Sequence, residues 1–302
     1  MCILCSPTFD KNKVNTHINC TNCTVITNIP IIKGLYSLTC NNCINLVNIE
    51  PTETLTLINC IRCINLVEIP KIETLEYINC SQCEKISIIP NLPNLKKLHC
   101  NYTNITELPQ FKNIELISCI YCIKLIIISN INIKYLNCSQ CINLIIIYNL
   151  SGINRLECNH CPKLITIYNL NTLSILCCKN CKKINIPYIH SLVNLNCSDN
   201  NITKIPNLRS LRLLECMNCP RLTEIKSKPK YICSVDCPWL ENKNNNFTHN
   251  IEKLLFLQYL FRKHILIKKI INISKLIIPI WWDPKCHGGF FHKKRMLDFI
   301  QI

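Results

Sequence analysis

The sequence contains no alanine and only 4 glycines, and 17% of its 302 residues are charged. Because phosphate-binding loops are built on glycine, no nucleotide-binding loop is expected, and few tight turns are expected to rely on a positive φ. Neither an H-E-x-x-H nor a G-x-S-x-G motif is present. A hydrophobic content of 48% argues against a disordered chain. The protein is therefore predicted to be folded and non-catalytic, with no cofactor and no metal ligands.

Long uncharged apolar segments are also missing. The longest apolar region, residues 254–280, is interrupted by six basic or titratable side chains, so no membrane span is expected. The N-terminal stretch MCILCSPTFDKNK lacks the basic start and apolar core of a secretory signal. We therefore expect a reducing, cytoplasmic location, where disulfides are the exception.

Cysteine, in contrast, is abundant, with 26 residues. Most occur as Cys-x-x-Cys pairs, whose first member marks a reference position that recurs every 19 or 20 residues. The eleven reference positions are Cys20, Cys40, Cys60, Cys80, Cys100, Cys119, Cys138, Cys158, Cys178, Cys197 and Cys216. A weaker echo is expected at Cys233, and MCILC is predicted to be a truncated coil with Cys2 and Cys5 in the paired positions. This regular spacing predicts a protein of stacked repeats.

Each repeat follows the frame L-x-x-L-x-C-x-x-C-x-x-L-x-x-I-P, as in residues 55–70, which read LTLINCIRCINLVEIP. An aliphatic residue such as Ile58 stands two positions before the reference cysteine, Cys60. Residues two apart lie on one face of a strand, so both side chains are predicted to point inward from a short strand.

Two repeats lack the second cysteine. LKKLHCNYTNITELP has Thr103 in its place, and LVNLNCSDNNITKIP has Asn200. The second of these resembles the leucine-rich repeat, with Cys197 where a leucine usually stands and Asn200 at the family's asparagine position. The resemblance covers about residues 15–235. It implies that Cys60 is the last inward residue of its strand and that Cys63 takes the asparagine position, whose side chain satisfies backbone groups of neighbouring turns.

Coils of about 20 residues leave no room for a full helix beside the strand, and the proline that ends the frame disfavours one. The predicted fold is an α/β-type, right-handed leucine-rich repeat solenoid, with short parallel strands on the concave face and an extended or 3-10 convex side. Residues 1–16 are predicted to be a truncated coil or cap, and residues 17–235 about 11 repeats. Residues 239–302 are predicted to form a basic, mainly helical C-terminal segment; residues 226–302 carry 14 Lys/Arg against 5 Asp/Glu.

The cysteine pairs have four interpretations. Buried structural thiols are favoured, because cysteine behaves as a small hydrophobic residue and a thiol in apolar surroundings is inert. Zinc sites shared between neighbouring repeats, a ladder of disulfides and a redox dithiol are the alternatives. Replacement of the second cysteine by Thr103 and Asn200 fits a hydrogen-bonding corner better than a lost metal ligand.

The predicted binding site is the concave face, because a stacked-repeat protein presents the same positions from every coil. Its outward positions mix amides, aromatic and charged residues, which suits a protein partner. The candidate partner-binding residues are Asn59, Tyr77, Asn79, Lys97, His99, Tyr135, Asn137, Arg155, Glu157 and Asn196. His99 and His160 are expected to be solvated. Positive charge is too sparse on this face for nucleic acid, which is expected to bind only through the basic tail, if at all.

The C-terminal stretch WWDPKCHGGFFHKKRML, residues 281–297, resembles a tail of repeat proteins from giant amoeba-infecting DNA viruses. This resemblance implies a viral protein in the cytoplasm of its host, with a host protein as partner. The predicted function is a protein-interaction scaffold. The alternatives are an adaptor that recruits host ubiquitination machinery and a nucleic-acid or acidic-surface binder that works through the basic tail.

Overall fold

The structure is a computed structural model that describes residues 2–238 and residue 240. Met1–Leu240 forms one compact unit. Residues 241–302 form the second unit, so the predicted helical segment and the tail motif of residues 281–297 lie outside the described residues.

Nineteen strands occur in the described residues. They are β1 (His17–Asn19), β2 (Asn28–Ile29), β3 (Ser37–Thr39), β4 (Asn48–Ile49), β5 (Leu57–Asn59), β6 (Tyr77–Asn79), β7 (Lys97–His99), β8 (Leu116–Ser118), β9 (Ile127–Asn132), β10 (Tyr135–Asn137), β11 (Ile146–Ser151), β12 (Arg155–Glu157), β13 (Thr166–Tyr168), β14 (Ile175–Cys177), β15 (Asn194–Asn196), β16 (Lys204–Ile205), β17 (Leu213–Glu215), β18 (Glu224–Ile225) and β19 (Tyr231–Cys233).

One parallel sheet runs through all the coils. Its twelve strands follow the order β1-β3-β5-β6-β7-β8-β10-β12-β14-β15-β17-β19. Equivalent repeat positions are paired, so that Ile58 of β5 lies beside Leu38 of β3 and Ile78 of β6. The predicted parallel strands are confirmed, and each outward position forms a column across the sheet.

The opposite side of each coil returns in extended conformation. It contains three small parallel sheets: β2-β4, β9-β11-β13 and β16-β18. Residues 2–238 and 240 contain a single helical element, the 3-10 turn Ile3–Cys5. The expected extended side is therefore confirmed, whereas the α/β description is wrong for the described residues, because coils this short close without a helix. None of these residues forms a helix that is long and apolar enough to span a bilayer.

The core follows a step of three residues. In one coil the buried side chains are Leu55, Ile58, Cys60, Cys63, Leu66, Ile69 and Ile72, and the next coil begins at Leu75. Every step is three residues except the one from Ile58 to Cys60, where the alternation of a strand gives a step of two. Six steps of three and one of two produce the 20-residue period.

In the 19-residue coils, the spacing between successive buried side chains includes a second step of two residues. In the coils without a second cysteine it follows the corner, since buried Ile105 comes two residues after Thr103 and buried Ile202 two after Asn200. The coil that begins at Cys119 instead shortens on the return side, where Ile131 and Ile133 are both buried.

Each strand of the large sheet ends in a corner with a left-handed residue. The second residue after the reference position has a positive φ, as in Asn42 (φ 56), Gln82 (φ 63) and Tyr121 (φ 61). Its N–H donates to the next coil, for example Gln82 N to Asn101 O at 2.7 Å. The expectation of few positive-φ turns in a glycine-poor chain is therefore wrong. The inter-coil hydrogen bond holds side-chain-bearing residues in a conformation that they rarely adopt.

The two ends of the array depart from the repeat. Cys233 pairs with Glu215, one position before the reference, so Ser234 occupies the reference position and Cys237 the corner. The predicted echo at Cys233 is thus shifted by one residue. At the other end the Cys5 N–H donates to Cys2 O at 3.0 Å, as Cys23 does to Cys20 at 3.1 Å, but no strand precedes this turn among the described residues.

Candidate functional site

The ten candidate residues lie on one surface. In the three-residue strands of the large sheet other than β19, the middle side chain is buried, and the first and third side chains face outward. We call these outward positions the sheet surface; they correspond to the predicted concave face. The candidates occupy Asn59 on β5, Tyr77 and Asn79 on β6, Lys97 and His99 on β7, Tyr135 and Asn137 on β10, Arg155 and Glu157 on β12, and Asn196 on β15.

Four of these residues form a polar cluster around Glu157. Arg155 Nε donates to Glu157 Oε1 at 2.7 Å, and Asn137 Nδ2 donates to Glu157 Oε2 at 2.8 Å. The Arg155 guanidinium also lies 5.8 Å from the ring centre of Tyr135. The Glu157 side chain is only 15% exposed, against 48% for Arg155. The buried carboxylate therefore holds the arginine and the amide in place, with the tyrosine beside them.

A second group lies two strands before this cluster. The rings of Tyr77 and His99 are 5.8 Å apart between centroids. Burial lowers the pKa of His99, and the neighbouring charge of Lys97 lowers it further. His99 was expected to be solvated but is partly buried in this contact, whereas His160 is exposed as predicted. A neutral imidazole beside a tyrosine offers a partner both a donor and an acceptor.

The asparagine column has a structural task. The side-chain oxygens of Asn79, Asn137 and Asn196 each accept a hydrogen bond from the backbone N–H two residues later, at 3.0–3.2 Å. This Asx turn shapes the strand exit. Its sequence signal is an asparagine directly before the reference cysteine. The amide nitrogens of Asn137 and Asn196 also have partners within the chain, because they donate to Glu157 Oε2 and Glu215 Oε2.

Asn59 is an exception in this column. The Ile61 N–H that it would accept is bonded to Asn41 Oδ1, at 2.9 Å, from the preceding coil. Asn59 Oδ1 is buried and has no hydrogen-bond partner among the described residues. This competition was not predictable from a single repeat, because Asn41 and Asn59 belong to different repeats.

Ion pairs line the strand starts. Lys96 Nζ lies 2.9 Å from Glu76 Oε2, and Lys134 Nζ lies 2.8 Å from Glu115 Oε1, each across neighbouring coils. With the Arg155–Glu157 pair, they compensate basic charge along this side of the sheet. A row of uncompensated cations, which phosphate binding requires, is not formed there.

From Cys43 onward, the cysteine at each corner tethers its coil to the one before it. Its thiol donates to the carbonyl of the preceding reference position at 2.8–3.3 Å, in Cys43, Cys63, Cys83, Cys122, Cys141, Cys161, Cys181, Cys219 and Cys237. Asn200 Nδ2 makes the same bond to Cys178 O at 2.8 Å, and a second to Cys197 O at 2.9 Å. The prediction that the second cysteine takes the asparagine position is confirmed.

The reference cysteines fill the interior. Burial raises the pKa of Cys80, Cys138, Cys178 and Cys197 well above the ordinary value. All 25 cysteines of the described residues are free thiols. Fully buried, protonated thiols are unreactive, which supports the interpretation of this column as packing residues.

The comparisons with known proteins concern the fold. The sequence matches no family model and no curated protein. The structure is similar to the crystal structure of a leucine-rich repeat protein from Bacteroides ovatus, with a TM-score of 0.50, 16% identity and coverage of 71% of this chain. The fold is a leucine-rich-repeat solenoid. The chain spans 60% of that neighbour's length, and identity this low shows the fold alone.

The leucine-rich-repeat solenoid has about 11 turns, as the cysteine spacing predicts. The similarity to a bacterial protein does not support a viral origin, which stays a prediction from the tail motif.

Three sulfurs meet at the N-terminal end of the solenoid. Cys2 Sγ lies 3.4 Å from Cys5 Sγ, and Cys5 Sγ lies 3.5 Å from Cys23 Sγ. Cys23 is the corner thiol of the first coil. The short turn Ile3–Cys5 precedes it, whereas each later corner is preceded by a full coil. The sequence placed Cys2 and Cys5 in a truncated coil but did not predict that their thiols meet Cys23.

Proposed function

We propose that the protein is a non-catalytic scaffold that binds a protein partner across the sheet surface. The alignment of outward columns over successive strands carries this proposal, because it brings side chains from separate repeats into one continuous face. Tyrosine and arginine, the residues most enriched in binding hot spots, lie at its centre in Tyr77, Tyr135 and Arg155.

The first outward column gives the partner's chemistry. Across β6, β7, β8, β10 and β12 it reads Tyr77, Lys97, Leu116, Tyr135 and Arg155. Neighbouring strands are about 4.8 Å apart, so Tyr77 and Tyr135, three strands from each other, are separated by about 14 Å. A segment that lies across the strands would meet two aromatic anchors, with the basic Lys97 and the aliphatic Leu116 between them. We therefore infer a partner with an apolar segment flanked by polar groups.

Affinity capture with two matched triple variants tests the proposal. The first replaces Tyr77, Tyr135 and Arg155 by alanine on the sheet surface. The control replaces Tyr148, Tyr168 and Lys163 by alanine. These are also two tyrosines and a basic residue, but they lie on the return side of the coils. The two tyrosine rings stack there, with their centroids 5.1 Å apart. A partner retained by wild type and the control, and lost from the first variant, is the expected result.

The captured partner then allows a direct affinity measurement. We expect the sheet-surface variant to weaken binding by about 30-fold or more, the effect of losing a hot-spot side chain worth about 2 kcal/mol. Equal affinity of both variants would place the binding site elsewhere. Circular dichroism of the variants checks that each remains folded.

The alternative of a nucleic-acid or acidic-surface binder depends on residues 239–302, nearly all outside the described residues. Binding to DNA and to anionic vesicles, measured with and without these residues, separates it from the scaffold, because activity of the tail should disappear with it. Recruitment of ubiquitination machinery and a host partner stay predictions from the sequence.

A further inference from the structure

The sulfurs of Cys2, Cys5 and Cys23 form a group that no other part of the described chain repeats. All three lie within 4.8 Å of one another. Cys23 is buried, while Cys2 and Cys5 are partly buried, so the group is reached from one side. The other corner cysteines donate their S–H groups to backbone carbonyls of the preceding coil, whereas here the thiols face one another.

Thiols in this arrangement have the chemistry of a metal site. Cys2 and Cys5 have the Cys-x-x-Cys spacing of a chelating turn, and Cys23 supplies a third sulfur from the first coil. Tetrahedral zinc with Zn–S bonds of about 2.3 Å holds its sulfurs about 3.8 Å apart, so the observed 3.4 and 3.5 Å need only a small expansion.

We propose that Cys2, Cys5 and Cys23 bind one thiophilic metal ion, Zn²⁺, through three thiolates. Each thiol releases its proton to solvent as its Zn–S bond forms, and an exogenous ligand such as water completes the tetrahedron. The ion would join the N-terminal turn to the first coil. This single site differs from zinc shared along the repeats, because the later corner thiols already have carbonyl acceptors.

Zinc titration of the reduced full-length chain tests the site. Competition with a chromophoric chelator gives stoichiometry and affinity, and Co²⁺ in place of Zn²⁺ reports thiolate coordination by its charge-transfer absorption. We expect one equivalent in wild type. Cys5→Ser should weaken binding by about 100-fold or more, beyond the loss expected from removing an outer hydrogen-bond partner.

Cys177→Ser is the matched control, since this partly buried thiol lies on the sheet surface outside the cluster. It should bind like wild type. Cys2→Ser repeats the test independently, and circular dichroism verifies that each variant is folded. Absence of a bound equivalent in wild type, or binding by the Cys2→Ser and Cys5→Ser variants that is as tight as in wild type, would overturn the proposal.

Discussion

The Cys63 thiol donates a hydrogen bond to the backbone carbonyl of Cys40, 2.9 Å away in the preceding coil. Asn200 makes the equivalent bond to Cys178 O at 2.8 Å and adds one to Cys197 O in its own coil. Cysteine thus satisfies the inter-coil carbonyl with one bond where asparagine makes two. The two side chains are interchangeable solutions to the same corner.

Cys63→Asn and Cys63→Ala should therefore differ. Alanine leaves the buried Cys40 carbonyl without this donor and should lower the free energy of unfolding by about 1–3 kcal/mol. Asparagine can restore the bond and should stay within about 1 kcal/mol of wild type. Urea unfolding followed by circular dichroism measures both, and equal losses would contradict the corner assignment.

Cys60→Ser tests the packing column. Cys60 is fully buried in the core, and a hydroxyl in its place should lower the free energy of unfolding by about 1–3 kcal/mol. Cys177→Ser, at a partly buried position, should cost about 0.5 kcal/mol or less. If urea unfolding shows the same small loss for both, the reference thiols do not act as apolar filler.

Gln82 tests the left-handed corner. Its φ of 63 is a conformation that a β-branched side chain tolerates poorly, so Gln82→Val should destabilise by about 1–2 kcal/mol. Gln82→Asn should be tolerated, because asparagine occupies the same position in other coils. Ser81→Val, one residue earlier, controls for added bulk in thermal unfolding. If the Gln82→Val variant is as stable as wild type, the backbone of the corner can adjust to the β-branched side chain.

The free energy of unfolding is expected to depend on pH through His99. Because burial lowers its pKa, the unfolded chain takes up a proton at this position more readily than the folded protein does below about pH 6.5. Its contribution is present above that pH and is lost as the pH falls. Unfolding free energies at pH 7 and pH 5 should differ less in His99→Gln than in wild type. His160→Gln, at an exposed corner, should retain the wild-type difference.

The sequence predicted the inward face well. Burial selects apolar or cysteine side chains at most inward positions, so Ile58, Cys60 and Cys63 are visible as a periodic pattern. The corner role of Cys63 followed from its exchange with Asn200. These predictions needed only comparison of one repeat with the next.

The remaining features depend on neighbours about 20 residues away. The competition of Asn41 with Asn59 and the ion pair of Lys96 with Glu76 join side chains whose identities vary between coils. The register of Cys233 was misjudged because the frame decays there and the cysteine spacing changes. The positive φ of Gln82 was missed because hydrogen bonding, and not the residue type, maintains it.

The corner hydrogen bond has a consequence for how such an array changes length. A unit with cysteine or asparagine at its corner, such as Cys63 or Asn200, carries a donor for the unit behind it and an acceptor for the unit ahead, so tandem duplication of such a unit adds one of each and leaves neither unmatched. The strand register is preserved in the same way. Recombination within the gene can therefore lengthen or shorten the protein by whole units, with no compensating substitution at the junction.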